Sequence, residues 1–238
     1  MTLILSLMTP TKAVLVADRR FTSGGKVFDD ERTKTSLIAC RDARALVAFT
    51  GLAKVEKFES SRTILRALSE VLKPDHLLRL KLQSFAGLMS NEIRKLRIPA
   101  NQKHLTIVLA GYYYYGPAPL PFLCQVTNAT NGWDKDATEE MKPFWSKQPL
   151  GLYGFGVRAG VAAKDRATLH QLLVEDRPAI ALVQKAVHTI QAASDSPKSR
   201  RLVGKQCNSV ILPVEPREGI LAEYHSLFQP AEYIPRHM

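Results

Sequence analysis

An α+β fold, with two sheets packed together and helices outside them, is predicted by three features of this 238-residue sequence. Strand-like and helix-like segments alternate in blocks, in the order strands, two helices, strands, two helices, strands. The opening strands are almost continuously apolar, the mark of strands covered on both faces. No low-complexity linker or internal repeat divides the chain, so one domain over residues 1–238 is expected.

Thr2 to Met8 and Ala13 to Ala17 are rich in Leu, Ile and Val, and the turn signal Thr9-Pro10-Thr11-Lys12 separates them, so they read as a β-hairpin. Asp18 then falls at a strand end, where a side chain can point into a cleft. Ser23-Gly24-Gly25 marks a bend, and the charged stretch Asp29 to Lys34 follows. Ser36 to Cys40 and Ala45 to Phe49 form a second strand pair. After Thr50-Gly51 the period becomes helical through Val55, Phe58, Leu65, Leu68 and Leu72, with a stop at Lys73-Pro74. A second helix is expected from Asp75, a good N-cap residue, to Pro99. Strands return at Leu105 to Tyr114 and Leu120 to Thr127, and a polar, Trp-containing loop is expected from Asn128 to Pro149. Helices over Lys164 to Glu175 and Ala179 to Ala193 precede closing strands at Ser209 to Val214 and Ile220 to Ser226. The tail Gln229 to Met238, with two prolines, reads as a flexible or docking segment.

Hydrophobic residues at 45% and charged residues at 23% are enough for a sizeable core. The net charge of +11 raises nucleic acid as a partner. The cations are scattered, however, and no basic run is interleaved with aromatics, so an ordinary soluble surface with excess Lys and Arg accounts for them. Cys40, Cys124 and Cys207 are far apart and lack CxxC spacing, which points to a reducing compartment and neither a disulfide frame nor a zinc site. No uncharged apolar stretch is long enough for a membrane span, so a cytoplasmic protein is expected.

The chemistry concentrates at the start. Thr2, Asp18 and Lys34 stand at equal steps of sixteen, and Thr2 follows Met1 directly. Once Met1 is removed, Thr2 carries a hydroxyl and a free α-amine, so one residue supplies both nucleophile and general base. Each residue also has a plain explanation: a common second residue, and solvated charges at a strand end and in a loop. The joint spacing favours the candidate amide-bond hydrolase. The six histidines show no ligand spacing, and no Gly-x-Ser-x-Gly elbow accompanies them. Tyr112 to Tyr115 would split between the two faces of a strand, and Gly151 to Gly156 lacks the lysine of a phosphate loop.

Four local features resemble proteasome β-type subunits and their bacterial proteasome-like relatives, N-terminal threonine peptidases of the Ntn hydrolase superfamily. Thr2 opens an apolar strand. Val14 to Gly25 resembles the family's strand, acid, basic residue, Thr and Gly-containing turn. Lys34 follows at the family's spacing, and Ala48-Phe49-Thr50-Gly51-Leu52-Ala53 resembles its strand-to-helix turn. The resemblance implies a four-layer αββα sandwich assembled into a homo-oligomeric ring or double ring, acting on polypeptide with no metal or organic cofactor. A separate ATP-dependent unfoldase is an implied partner. Thr2 would be the nucleophile, Lys34 would lower the effective pKa of its hydroxyl, and Asp18 would orient Lys34. Gly51 would offer a backbone N–H to the oxyanion at a helix start, and the backbone of Thr22 would pair with an extended peptide.

The pattern also departs from the family. Phe155 stands where the Ser of a Gly-Ser-Gly turn is expected, within Gly154-Phe155-Gly156. Asp195 and Ser199 are one residue too far apart to match the supporting Asp and Ser, and Ser209 is the remaining hydroxyl candidate. These departures bear on turnover more than on fold. They leave a catalytically silent ring-former as the alternative, ahead of a small-molecule amidase or a basic nucleic-acid-binding protein.

Overall fold

The structure is a computed structural model that describes residues 2–23, 26–29, 33–55, 58–73, 75–129, 137–199, 201–226 and 230–232. Met1, the Gly24-Gly25 bend, residues 30–32 of the charged stretch, the Pro74 helix stop, residues 130–136 of the expected polar loop and tail residues 233–238 lie outside the described residues. The early strands are β1 (Leu3–Met8), β2 (Lys12–Asp18), β3 (Phe21–Ser23), β4 (Lys26–Asp29), β5 (Thr35–Ala39) and β6 (Ala43–Gly51). Two short strands, β7 (Lys54–Val55) and β8 (Phe58–Glu59), precede helices α1 (Ser60–Val71) and α2 (Leu78–Arg94). There follow β9 (Leu105–Tyr113), β10 (Leu120–Ala129), β11 (Ala137–Trp145) and β12 (Gly151–Gly156), then α3 (Ala163–Val174) and α4 (Ala179–Asp195). The described chain closes with β13 (Cys207–Pro213), β14 (Leu221–His225) and β15 (Pro230–Glu232).

The strands form a six-stranded sheet, β12-β1-β2-β13-β14-β15, and a five-stranded sheet, β11-β10-β9-β6-β5, both antiparallel throughout, with β3-β4 and β7-β8 as separate ribbons. The expected α+β class is thus observed. Alternation along β1 explains why it is apolar throughout. Leu3, Leu5 and Leu7 join Val14 and Val16 in a cluster with Leu169, Leu182, Val183 and Ile190 of α3 and α4. Ile4 and Met8 face the other way, into a cluster with Leu15, Leu46, Val108 and Leu123 that joins the two sheets. The far face of the five-stranded sheet packs Val47, Phe49, Ile107 and Leu109 against Ile64, Leu68, Leu82, Phe85 and Met89 of α1 and α2. The arrangement is compatible with an αββα sandwich.

Several local readings need correction. Val55 and Phe58 belong to β7 and β8, and their spacing to Leu65 matched a helix by coincidence. Helix α2 begins at Leu78 and not at Asp75, because its first orphan N–H donates to Asp42 Oδ1 at 2.9 Å. A cap 36 residues upstream leaves no local signal. The expected loop from Asn128 to Pro149 contains β11, an edge strand whose exposed residues are polar at Thr138, Glu139, Glu140 and Lys142, with Phe144 the apolar exception. Among the described residues no helix is long and apolar enough to cross a membrane.

Candidate active site

One end of the β1-β2 hairpin carries the site. Antiparallel pairing of Ile4 with Ala17 brings the start of β1 beside the end of β2, so Thr2 lies next to Asp18. Pairing of Thr35 with Ala48 sets Lys34, the residue before β5, beside the Phe49–Thr50 end of β6. The Lys34 ammonium donates to Thr2 Oγ1 at 2.5 Å, to Asp18 Oδ1 at 3.3 Å and to the Arg20 carbonyl. Thr2, Asp18 and Lys34 are all buried, and the charged ends of Asp18 and Lys34 are fully so.

An ammonium has three donors and no acceptor, and here each of the three has a partner. Lys34 in this state cannot take a proton from Thr2. It holds a positive charge at the oxygen where an alkoxide would develop. Asp18 accepts from the N–H groups of Leu3 (2.6 Å), Arg20 (2.9 Å) and Gly204 (3.2 Å) as well as from Lys34, so its carboxylate is held from four directions. A buried ion pair is costly unless its remaining lone pairs and protons are satisfied, and this one meets that condition. The ring of Phe21 lies 4.9 Å from Lys34 Nζ and covers the remaining side.

The other predicted residues sit nearby with different surroundings. Gly51 ends β6 in the left-handed region, with φ +103°, and a Cβ there would fall 2.2 Å from the His104 carbonyl oxygen. It is not itself at a helix start, because β7 and β8 intervene in the chain before α1, whose first residue, Ser60, bonds back to the Leu52 and Ala53 carbonyls. Thr22 lies in β3 opposite Val27, one residue past Phe21. Phe155 is not in a turn. It pairs with Ile4 across β12 and β1, and its side chain is buried in the cluster between the sheets. Asp195 pairs with Lys205 at 2.8 Å, Ser199 Oγ donates to the Ser196 carbonyl at 2.8 Å, and Ser209 Oγ lies 2.7 Å from His225 Nε2. None of these contacts is made to Thr2.

Sequence reasoning missed three contributors. Thr50 Oγ1 accepts from the Thr2 N–H at 3.3 Å and donates to the Thr2 carbonyl at 3.1 Å, tying the two sheets together. Gly156, with φ +79°, lets this contact form, because a Cβ there would fall 1.8 Å from the Thr2 carbonyl oxygen and 2.6 Å from Thr50 Oγ1. The half-buried His104 lies beside Gly51, and burial, aided by the amino-terminal charge, lowers its pKa. The Thr50-Gly51 step was a visible clue, but which way the Thr50 hydroxyl points depends on tertiary pairing.

Rival centres are weaker. Burial and the Asp18 carboxylate push up the pKa of Cys207, while burial raises Cys40 to about 11 and Cys124 to about 12, so none is a ready thiolate. Among the described residues no cluster of three or more His, Cys, Asp or Glu could hold a metal ion. A cavity of about 800 Å³ is lined by Leu5, Leu152, Arg158, Arg166 and Lys198 and not by Thr2, Asp18 or Lys34.

The fold is similar to that of Anbu. Anbu (ancestral beta-subunit) from Yersinia bercovieri matches with a TM-score of 0.61 at 13% identity, over 90% of this chain and 81% of that one. The helical assembly of the Anbu complex from Pseudomonas aeruginosa matches with a TM-score of 0.58 at 12% identity, over 97% and 85%. An Anbu (Gly-1) mutant from Hyphomicrobium sp. strain MC1 matches with a TM-score of 0.58 at 12% identity, over 90% and 83%. No family model and no curated protein matches this chain. The expected kinship with proteasome β-type subunits is corrected accordingly, since these neighbours are Anbu proteins, related to that family but distinct from it. At such low identity the likeness shows the fold alone.

Proposed function

We propose that this chain is an N-terminal threonine hydrolase that cleaves peptide bonds with Thr2 as nucleophile once Met1 has been removed. The observation that carries this reading is the 2.5 Å contact from Lys34 Nζ to Thr2 Oγ1, within a fully buried pair of Lys34 and Asp18. Thr2 Oγ attacks the scissile carbonyl carbon, and its proton passes to the Thr2 amine, directly or through water. Lys34 stabilises the developing alkoxide, and the Gly51 N–H receives the oxyanion. The intermediate collapses to an ester on Thr2, breaking the C–N bond, and the departing amine takes the proton from the α-ammonium. Water then adds to the ester, giving one proton to the amine, and releases the acid with the Thr2 hydroxyl restored. The β3 backbone at Thr22 holds the substrate as an added strand. This chemistry needs neither metal nor organic cofactor.

We read the three apolar clusters as the four-layer αββα sandwich of one domain. The Pseudomonas structure is a helical assembly, and a self-assembled ring or helical array is proposed here, with an ATP-dependent unfoldase as partner. The positions of Phe155, Asp195 and Ser199 favour one second reading, a catalytically silent assembly subunit of the same fold. A β-lactone that acylates threonine hydroxyls separates the two. Intact mass followed by peptide mapping should place one adduct on Thr2 of the Met1-free chain, and none on Thr2→Ala or Lys34→Met. Absence of the adduct on the Met1-free, folded chain would leave the silent subunit standing.

A further inference from the structure

Thr50 is a buried hydroxyl that makes two contacts to one residue 48 positions away, and its single proton decides how it acts. A threonine hydroxyl has one O–H and two lone pairs. The proton is committed to the Thr2 carbonyl at 3.1 Å, so what Thr50 presents to the Thr2 nitrogen at 3.3 Å is a lone pair. The Thr2 carbonyl is also held by the Val157 N–H at 3.0 Å, which fills its second lone pair, and Thr2 Oγ1 is held by Lys34. Both the carbonyl and the hydroxyl of Thr2 are therefore fixed. The rotation of a free amine about its bond to the Thr2 Cα is left to whatever grips its hydrogens. Gly156 lies against this contact from the adjoining strand, where any side chain would displace it.

We propose that Thr50 is the positioning residue for the Thr2 amine, accepting one N–H so that the amine lone pair faces the threonine's own hydroxyl. This rests on the reading of Thr2 as nucleophile and names the hydroxyl that holds its base. It also gives a reason why Phe155 can be turned into the core, since the amine is held from the five-stranded sheet instead of from β12. A lone pair accepting from the amine favours the ammonium over the neutral form, because the hydrogen bond to the charged state is the stronger one. Removing Thr50 therefore moves the amine midpoint down. Among the described residues, Lys34 and Asp18 at the site, His104 beside Gly51, and Cys207 opposite Asp18 are titratable groups near the Thr2 end, and a change at Thr50 alters none of them chemically.

The test uses the full chain freed of Met1 by methionine aminopeptidase, and does not depend on turnover. The rate at which the Thr2 amine reacts with acetic anhydride is followed against pH by mass spectrometry for wild type, Thr50→Val and Thr50→Ser. The expected midpoint for Thr50→Val lies about half a pH unit or more below wild type, and Thr50→Ser returns to the wild-type value. Acylation of the Thr2 hydroxyl by the β-lactone should slow about tenfold to a hundredfold in Thr50→Val, in maximal rate and not in apparent affinity. Thr50→Ala, which removes the same oxygen from a smaller side chain, supplies the comparison where Thr50→Val fails to melt cooperatively. Equal midpoints in all variants would overturn the proposal. A wild-type chain that takes no β-lactone but shows the Thr50-dependent midpoint would sink the hydrolase reading and leave the positioning role intact.

Discussion

Replacing Lys34 with Met removes the ammonium and leaves the Asp18 carboxylate buried without its counter-charge. Breaking a buried ion pair from one side costs about 3–5 kcal/mol, because the remaining charge is uncompensated. Asp18 keeps three backbone donors, from Leu3, Arg20 and Gly204, so the lower figure of about 3 kcal/mol applies. A chain of 238 residues, at about 2.1 cal/mol/K per residue, unfolds with an entropy of about 0.5 kcal/mol/K. The expected loss in Tm is therefore about 6 °C, measured by calorimetry at fixed protein concentration because assembly shifts Tm by mass action. Asp18→Asn should cost a comparable amount. The double variant Asp18→Asn/Lys34→Met leaves no charge stranded, and should recover about 2 kcal/mol relative to the sum of the single variants. Additive losses, or a Lys34→Met chain as stable as wild type, would refute the buried pair and with it the electrostatic role assigned to Lys34.

Two further outcomes are expected. Phe155→Ser places the missing hydroxyl into the cluster between the sheets, so urea unfolding should show a loss of about 4 kcal/mol or more, with no faster β-lactone acylation of Thr2; a gain in acylation would show that this position faces the nucleophile. Burial lowers the pKa of both His104 and His225, so the unfolded chain binds their protons first as pH falls through about 6.5. Their contribution is complete above that pH and declines below it, and His104→Gln should flatten stability against pH below about 6.5; an unchanged slope would count against a half-buried neutral His104.

The strands that carry the site were legible because their apolar residues obey a period that survives any surroundings. Leu3, Leu5 and Leu7 on one face of β1, and Ile4 and Met8 on the other, left a continuous apolar run because both faces are covered. The grouping of Thr2, Asp18 and Lys34 followed from a hairpin and a strand start, both local events. What stayed hidden was long-range. Asp42 caps α2 from 36 residues away, Gly204 reaches Asp18 from the far end of the chain, and Thr50 meets Thr2 across two sheets. No local pattern encodes such meetings. The Gly154-Phe155-Gly156 segment misled for a related reason: two glycines suggest a turn, but Gly156 is required by the approach of the Thr2 carbonyl.

The position of β1 inside its sheet also sets an order of events during synthesis. Its neighbour β2 is made within seconds, whereas β12, which pairs Leu3 with Gly156, emerges roughly 150 residues later. Translation at about 5–20 residues per second puts that delay at about 8–30 s. During this interval one edge of β1 is still open, and an aminopeptidase can reach the first residues before Thr2 is enclosed. On the proposed reading of Thr2, the arrival of β12 then limits the time in which Met1 can be removed and the amine freed.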